Sequence, residues 1–156
     1  MIQTLIRAVT RDDVPHIIAI ERTSFPRPWD DDVFRILGAW RGRVRTQKGK
    51  TVFMYVIEED GELAGYIVWE EDAQLEESHL LNIAIHQQRK RRGLGRELLD
   101  YALSMMRERK MSLCRLEVRQ SNTPAQALYV SAGMSLLCRD DHYYEDEDAL
   151  IYTIRL

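Results

Sequence analysis

The chain has 156 residues, of which 45% are hydrophobic and 30% charged, with a net charge of −3. That length suits one domain with a real core, and the composition excludes a disordered or collagen-like chain. No apolar run reaches the roughly 18 residues of a membrane span, the two cysteines, Cys114 and Cys138, are too few for a disulfide framework or a four-ligand zinc site, and the acidic balance disfavours direct nucleic-acid binding.

The N-terminal MIQTLIRAVTRDD carries no signal-peptide h-region or cleavage site. The expected location is therefore the cytoplasm, with both thiols buried and reduced. Residues 2–8 alternate as a short strand. Thr10 and Asp13 form a capping-box-like pair ahead of a helix that carries Val14, Ile17, Ile18 and Phe25 on one side. Pro26-Arg27-Pro28 ends it, because proline disfavours helix at the preceding residue. Asp30, Asp31 and Asp32 open a second helix, favoured by the dipole, with Val33, Phe34, Leu37 and Trp40 as its apolar stripe.

Residues 41–50 are basic, contain two glycines and read as a mobile loop. TVFMYVIEE (51–59) and ELAGYIVWE (62–70) read as strands joined at Asp60-Gly61, a tight-hairpin signal. SHLLNIAI (78–85) is a third, its apolar continuity implying burial on both faces. The period then changes to 3.6, with Leu94, Leu98, Ala102 and Met105 on one face of a helix running to about Arg109. SLCRLEVR (112–119) is a strand. Asn122 or Thr123 caps a further helix, with Pro124 at its start and Gly133 past its end. Runs near 134–139 and 149–155 complete the sheet, giving the order β-α-α-β-β-β-α-β-α-β-β, a mixed α/β domain around one central sheet.

The most informative segment is IHQQRKRRGLGR (85–96), a strand end, a basic loop and a helix start in succession. Unpaired N–H groups at a helix N-terminus form an anion site, and Gly93 and Gly95 remove side chains that would hold a phosphate off the backbone. The expected ligand is a phosphate or pyrophosphate, against the alternative of a merely solvated basic loop. The segment lacks the Gly-Lys-Ser/Thr of a Walker loop and the third glycine of a dinucleotide fingerprint.

KRRGLGRELL resembles the acyl-CoA pyrophosphate loop of the GNAT family, Gln/Arg-x-x-Gly-x-Gly/Ala, with Lys90 at its first position. ERTSFPRPW (21–29) and LEVRQSN (116–122), followed by Ala127-Leu128-Tyr129 and Ala132-Gly133-Met134, resemble segments of the RimI-type N-terminal acetyltransferases in that family. The resemblance spans nearly the whole chain. It implies a GNAT fold over residues 1–156, a mostly antiparallel twisted sheet flanked by helices. It also implies acetyl-CoA as co-substrate, held by Arg91, Arg92, Gly93, Leu94, Gly95, Arg96 and Asn122, with the backbone of Ile83, Ala84 and Ile85 pairing with the pantetheine arm.

Acetyl transfer to an amine requires a base for the amine, stabilisation of the carbonyl oxygen and an acid for the thiolate. Glu117 lies mid-strand with Leu116 and Val118 pointing to the opposite face. The resemblance assigns it the general base; the alternative is a strand glutamate paired with Arg115 or Arg119. It assigns Tyr129 the general acid, while a packing role beside Leu128 is compatible with that. Asn122 has the alternative of a plain helix N-cap. His16, His79, His86 and His142 show no metal-ligand spacing, so no metal is expected. Trp29, Trp40 and Trp69 are expected to pack.

By the same resemblance, Phe25, Pro26 and Trp29 border a peptide groove and Tyr143 and Tyr144 lie on a C-terminal hairpin facing it. The carboxylates of 145–148 are placed to attract a cationic N-terminus. The implied reaction is transfer of an acetyl group from acetyl-CoA to the N-terminal α-amine of a protein, a ribosomal protein in the RimI type. A lysine or small-amine acetyltransferase and a non-catalytic acyl-CoA sensor are the alternatives. RNA binding through Arg41–Lys50 and Arg89–Arg96 is weakened by the lack of interleaved aromatic residues.

Overall fold

The computed structural model describes residues 2–156. β1 (Thr4–Ala8) leads through a 3-10 turn at Arg11–Asp13 into α1 (Val14–Ser24) and α2 (Asp31–Ala39). There follow β2 (Arg43–Arg45), β3 (Thr51–Glu59), β4 (Glu62–Asp72), β5 (Glu77–Ile85), α3 (Leu94–Glu108), β6 (Leu113–Arg119), α4 (Thr123–Ser131), β7 (Ser135–Asp140) and β8 (Ala149–Arg155). The sheet runs β1-β3-β4-β5-β6-β8-β7, with β2 also on β3. Every pairing is antiparallel except β5 with β6, whose crossover is α3. No helix among the described residues is long and apolar enough to cross a membrane.

Local chemistry sets the boundaries. Asp60 and Gly61 both have positive φ, 50° and 83°, as a two-residue hairpin requires. Ahead of α1, the Thr10 backbone N–H donates to the Asp13 carboxylate at 2.8 Å, and the Arg7 guanidinium clamps that carboxylate at 2.7 and 2.9 Å. Asp30 caps α2 by accepting from the Asp32 N–H at 2.8 Å.

Several expectations need correction. The basic segment 41–50 is not all loop: Arg43, Val44 and Arg45 pair with Phe53, Val52 and Thr51. The Arg-Val-Arg alternation suits an edge strand whose charges face water. Trp40 does not pack; it sits at the end of α2, 68% exposed, while Phe34 and Leu37 supply the buried face. In α1 the deeply buried partner of Ile17 is Ile20 rather than Ile18, and Phe25 has left the helix in extended conformation. In α3 it is Met106, not Met105, that is fully buried. Cys138 is exposed on β7, an edge strand, whereas Cys114 is buried as expected.

Two apolar layers sandwich the sheet. On one face α3 and α4 cover Leu80, Leu116, Val118 and Trp69; on the other α1 and α2 cover Met54, Val56, Tyr66 and Val68. Trp69 stacks on Phe53 and Tyr55, with centroids at 5.4 and 5.6 Å.

The feature that positions the site is a split in the sheet. β5 and β6 pair only where Glu77, Ser78 and His79 meet Leu113, Cys114 and Arg115. Just beyond, the β4–β5 register slips, so that Trp69 faces Leu80 and Val68 faces Asn82, leaving Leu81 as the extra residue. Such a bulge bends its strand. From there β5 and β6 diverge, and the rest of β5 borders an opening rather than being buried on both faces.

Candidate active site

A cavity of about 1060 Å³ occupies the opening between β5 and β6. It runs from the N-terminus of α3, past Glu117, to walls formed by the α1–α2 connection and the β7–β8 connection.

At the α3 end, Arg91 and Gly93 both take left-handed backbone conformations, φ 65° and 80°, turning the chain into the helix. Gly93 stands at the N-cap with no side-chain cap, whereas α2 and α4 are capped by Asp30 and Asn122. The first N–H groups of α3 are therefore left for a ligand. Leu94 is buried and anchors the loop. A Cβ at Gly95 would meet Leu128 at 3.5 Å, an ordinary contact, so packing within the protein does not require glycine there. Arg91 lines the cavity and its guanidinium has no ion-pair partner among the described residues.

Two of the expected arginines are engaged elsewhere. Arg92 turns its guanidinium onto Glu59 at 2.6 Å, beside Arg89 at 2.7 Å. Glu59 is a carboxylate only 1% exposed, and such a group demands cationic partners. Arg92 thus props the loop from behind, and its side chain does not line the cavity. Arg96 borders the cavity but pairs with Asp100 one turn along at 2.9 Å.

Ile83, Ala84 and Ile85 pair with Ile67, Tyr66 and Gly65 of β4, and face the opening on their other edge. An extended ligand can add there as a strand. Asn122 borders the cavity, and its side-chain oxygen accepts from the Ala125 N–H at 3.3 Å. The capping role is thus visible in the geometry.

Glu117 sits at the narrow end of the split, its side chain 10% exposed. His79 Nε2 lies 2.9 and 2.8 Å from its two oxygens. The Tyr143 hydroxyl donates to Oε1 at 3.2 Å, and Arg115 stands 3.5 Å away. Arg115 is thus a distant partner, and Arg119 points instead to Asp146 and Glu147. Burial alone would push the Glu117 carboxyl up. The hydrogen bond and charge of His79, with Arg115 and Tyr143, outweigh it and hold the group below the usual glutamate range.

Tyr129, on α4, lines the same cavity with its side chain almost wholly buried. Burial, then the neighbouring Tyr144 and Cys114, keep its hydroxyl protonated well above the ordinary tyrosine range. Its ring also packs at 6.2 Å from Tyr152. Burial pushes the Cys114 thiol up to about 12, which makes it inert at neutral pH.

The far wall is built from side chains. Phe25, Pro26 and Trp29 line it, and Trp29 stacks on Phe34 at 5.6 Å. Glu21, 2% exposed, holds this wall in place. Its carboxylate accepts from the Trp29 N–H at 2.8 Å, from the Asn82 amide at 2.7 Å, and from the Tyr66 hydroxyl. Glu21 received no role from the sequence, although one signal was present: it lies four residues after Ile17 on the buried stripe of α1, where a charge needs partners.

Tyr143 and Tyr144 pack edge to face at 5.0 Å, and Arg119 lies over the Tyr144 ring at 4.2 Å. The acidic run beside them, expected to draw a cationic N-terminus, is largely consumed internally. Glu145 pairs with Arg27 at 2.9 Å, Asp146 and Glu147 pair with Arg119, and Asp148 accepts from the His142 N–H at 2.8 Å. The other residue that sequence reading passed over is His79. Its contact with Glu117 depends on strands that are adjacent in the sheet but 38 residues apart in the chain. Among the described residues no group of three or more His, Cys, Asp or Glu side chains could hold a metal ion.

Residues 14–134 match the pattern of the acetyltransferase (GNAT) family. The chain is 33% identical over 154 residues to a putative ribosomal protein bS18-alanine N-acetyltransferase of Bacillus subtilis, covering 97% of this chain and 95% of that protein. The crystal structure of the ribosomal-protein-S18-alanine N-acetyltransferase of Escherichia coli superposes with a TM-score of 0.80 at 27% identity, over 98% of this chain and 94% of that one. Arabidopsis thaliana NAA60 in complex with acetyl-CoA shares the fold, with a TM-score of 0.82 at 15% identity over 99% of both chains. The uncapped helix, the free strand edge and the unpaired Arg91 fit an anionic, extended acyl donor, and the chain belongs to the GNAT family of acetyltransferases, whose acetyl donor is acetyl-CoA.

Proposed function

We propose that this protein acetylates the N-terminal α-amine of protein substrates, with a ribosomal protein of the bS18 type as acceptor, using Glu117 as general base and Tyr129 as general acid. The names of the Bacillus subtilis and Escherichia coli relatives support the acceptor. The observation that carries the mechanism is that Glu117 and Tyr129 line one cavity, with the carboxyl held below its usual range and the phenol above its own. A ribosomal protein acceptor places the reaction in the cytoplasm.

Bound at the α3 loop, acetyl-CoA supplies a thioester whose carbonyl carbon accepts the amine. Gly93, Leu94 and Gly95 offer backbone N–H groups to its phosphates, and Arg91 adds charge. The edge of Ile83, Ala84 and Ile85 aligns its extended arm, with Asn122 across the opening. Glu117 takes the amine's proton, directly or through one water. Tyr129 donates its phenolic proton to the leaving sulfur. Phe25, Pro26, Trp29, Tyr143 and Tyr144 guide the peptide to Glu117.

Magnitudes favour an α-amine over lysine. With pKa values of about 7.7–8.0 and 10.4, roughly one α-amine in ten is already neutral at pH 7, against fewer than one lysine in a thousand. A carboxylate held below its usual range is a weak base and suits the acceptor that needs less help.

The test is acetyl transfer to peptides bearing both a free N-terminus and internal lysines, read by tandem mass spectrometry. Acetylation confined to α-amines, with a loss in kcat of roughly 10²–10⁴-fold in Glu117→Gln, is the expected result. Transfer to lysine side chains would replace the acceptor assignment, and an undiminished Glu117→Gln would remove Glu117 from the mechanism.

A further inference from the structure

Where β5 and β6 part, His79 occupies the last rung of their ladder. It is paired with Arg115 on β6 and with Glu70 on β4. Its Nε2 reaches both oxygens of Glu117, at 2.9 and 2.8 Å, and its Nδ1 stands 3.6 Å from the Glu70 carboxylate. Glu70 in turn lies 3.5 Å from Lys50. We infer that His79 is a positioning residue for acetyl transfer, donating from Nε2 to both oxygens of the Glu117 carboxylate and so holding it aimed into the cavity.

Geometry supports this over an incidental surface pair. Both side chains are mostly buried, 18% and 10% exposed, so water screens their interaction little. The acceptor of the bond is the carboxylate that borders the cavity. A single N–H shared between two oxygens fixes the carboxylate plane, which neither the Arg115 contact at 3.5 Å nor the Tyr143 hydroxyl at 3.2 Å does alone.

The charged and titratable groups facing His79 come from three directions: Glu70 on β4, with Lys50 behind it, Arg115 and Glu117 on β6, and Tyr143 from the β7–β8 connection by way of Glu117. Glu70 faces Nδ1 and Glu117 faces Nε2, so each ring nitrogen meets a carboxylate and the imidazole has one favoured orientation. A carboxylate only accepts, so Nε2 is the donor in the contact with Glu117.

The inference rests on Glu117 being the base, and the experiment separates the two. His79→Phe, His79→Gln and Glu117→Gln are compared with wild type for kcat, for the KM of acetyl-CoA, and, in the two His79 variants, for the titration of Glu117 followed by its side-chain carboxyl ¹³C signal. His79→Phe is expected to lower kcat at pH 7 by roughly tenfold or more, because the carboxylate is no longer held in place, and to move the Glu117 titration upward, because its main hydrogen-bond donor is gone. The KM of acetyl-CoA stays within about twofold, because His79 does not line the cavity and is no part of the phosphate loop at the start of α3; that constancy also reports an intact fold. His79→Gln, whose amide still donates, recovers part of kcat and part of the titration shift. If Glu117→Gln is inactive while His79→Phe keeps the wild-type kcat and titration, His79 is structural only and the inference falls. If Glu117→Gln is fully active, the base assignment falls and the inference with it.

Discussion

At the α3 end of the cavity the groups offered to a ligand are main-chain N–H donors from an uncapped helix and the open edge of Ile83, Ala84 and Ile85. At the opposite end they are side chains, Phe25, Trp29, Tyr143 and Tyr144, held by Glu21 and Arg119. Backbone recognition depends on conformation and tolerates changes of side chain, which suits a donor common to a whole family. Side-chain recognition changes with each substitution, which suits an acceptor that differs between enzymes. Each end is also braced by one buried carboxylate, Glu59 behind the loop and Glu21 beneath the far wall. The two braces can be broken separately.

The larger effect is expected from Glu21→Ala. It leaves the Trp29 N–H, the Asn82 amide and the Tyr66 hydroxyl without their common acceptor, at a cost of about 3 kcal/mol. Urea unfolding measures the loss. In the folded fraction the peptide KM should rise while the KM of acetyl-CoA stays near wild type. An equal rise in both would mean that the two ends are mechanically one unit.

Glu59→Gln makes the complementary break. Arg89 and Arg92 lose an anionic partner that is 1% exposed, and both guanidinium groups keep access to water. The stability cost is about 1–2 kcal/mol, below that of a fully buried pair. The expected signature is a rise of roughly tenfold in the KM of acetyl-CoA with an unchanged peptide KM, measured by steady-state kinetics with each substrate varied in turn. A change in the peptide KM alone would refute the division.

The same contrast explains what the sequence disclosed. The hairpin at Asp60-Gly61, the loop at Gly93 and the cap at Asn122 are encoded by a few adjacent residues whose backbone preferences stand alone. The donor end was legible for that reason. Glu117 was legible through the resemblance of its segment, since from spacing it was only a strand glutamate flanked by arginines. Its true neighbour, His79, comes from another strand, and the braces Glu21 and Glu59 each draw partners from other elements of the fold. Arg92 misled because a loop arginine reads as ligand-facing until Glu59 is seen behind it. Trp40 misled because helical period continues past the residue where the helix stops.

Outside the cavity, the start of α1 provides a pH-dependent control. Burial pushes the Asp13 carboxyl up, but bonds from Arg7 and Thr10 outweigh it and hold it below the ordinary aspartate range. A depressed folded-state pKa contributes stability that is complete above the unfolded value of about 3.9 and is lost as pH falls through the lower folded value. Asp13→Asn should therefore cost about 1–2 kcal/mol at neutral pH. In urea unfolding at pH 6, 4 and 3, the gap between wild type and variant should hold down to about pH 4 and narrow below it. A gap that is constant to pH 3 would show that Arg7 and Thr10 do not stabilise the ionised form.

The smallest effect is expected where the two walls of the acceptor end meet. Arg27 and Glu145 bridge the α1–α2 and β7–β8 connections at 2.9 Å, but both are largely exposed, 57% and 83%. An ion pair in that setting is screened by salt and loses side-chain entropy on forming. Its position above the cavity nevertheless invites the idea of a latch. If it is one, Arg27→Ala and Glu145→Ala should alter the peptide KM by equal amounts, the double variant should add nothing, and 0.5 M salt should reproduce the effect in wild type. The exposures argue for the opposite: changes of no more than about threefold, additive and insensitive to salt. The closure of this wall then rests on Glu21 below it, whose carboxylate is buried and takes three hydrogen bonds, and the acceptor end resembles the donor end in one respect: both are held from the buried side.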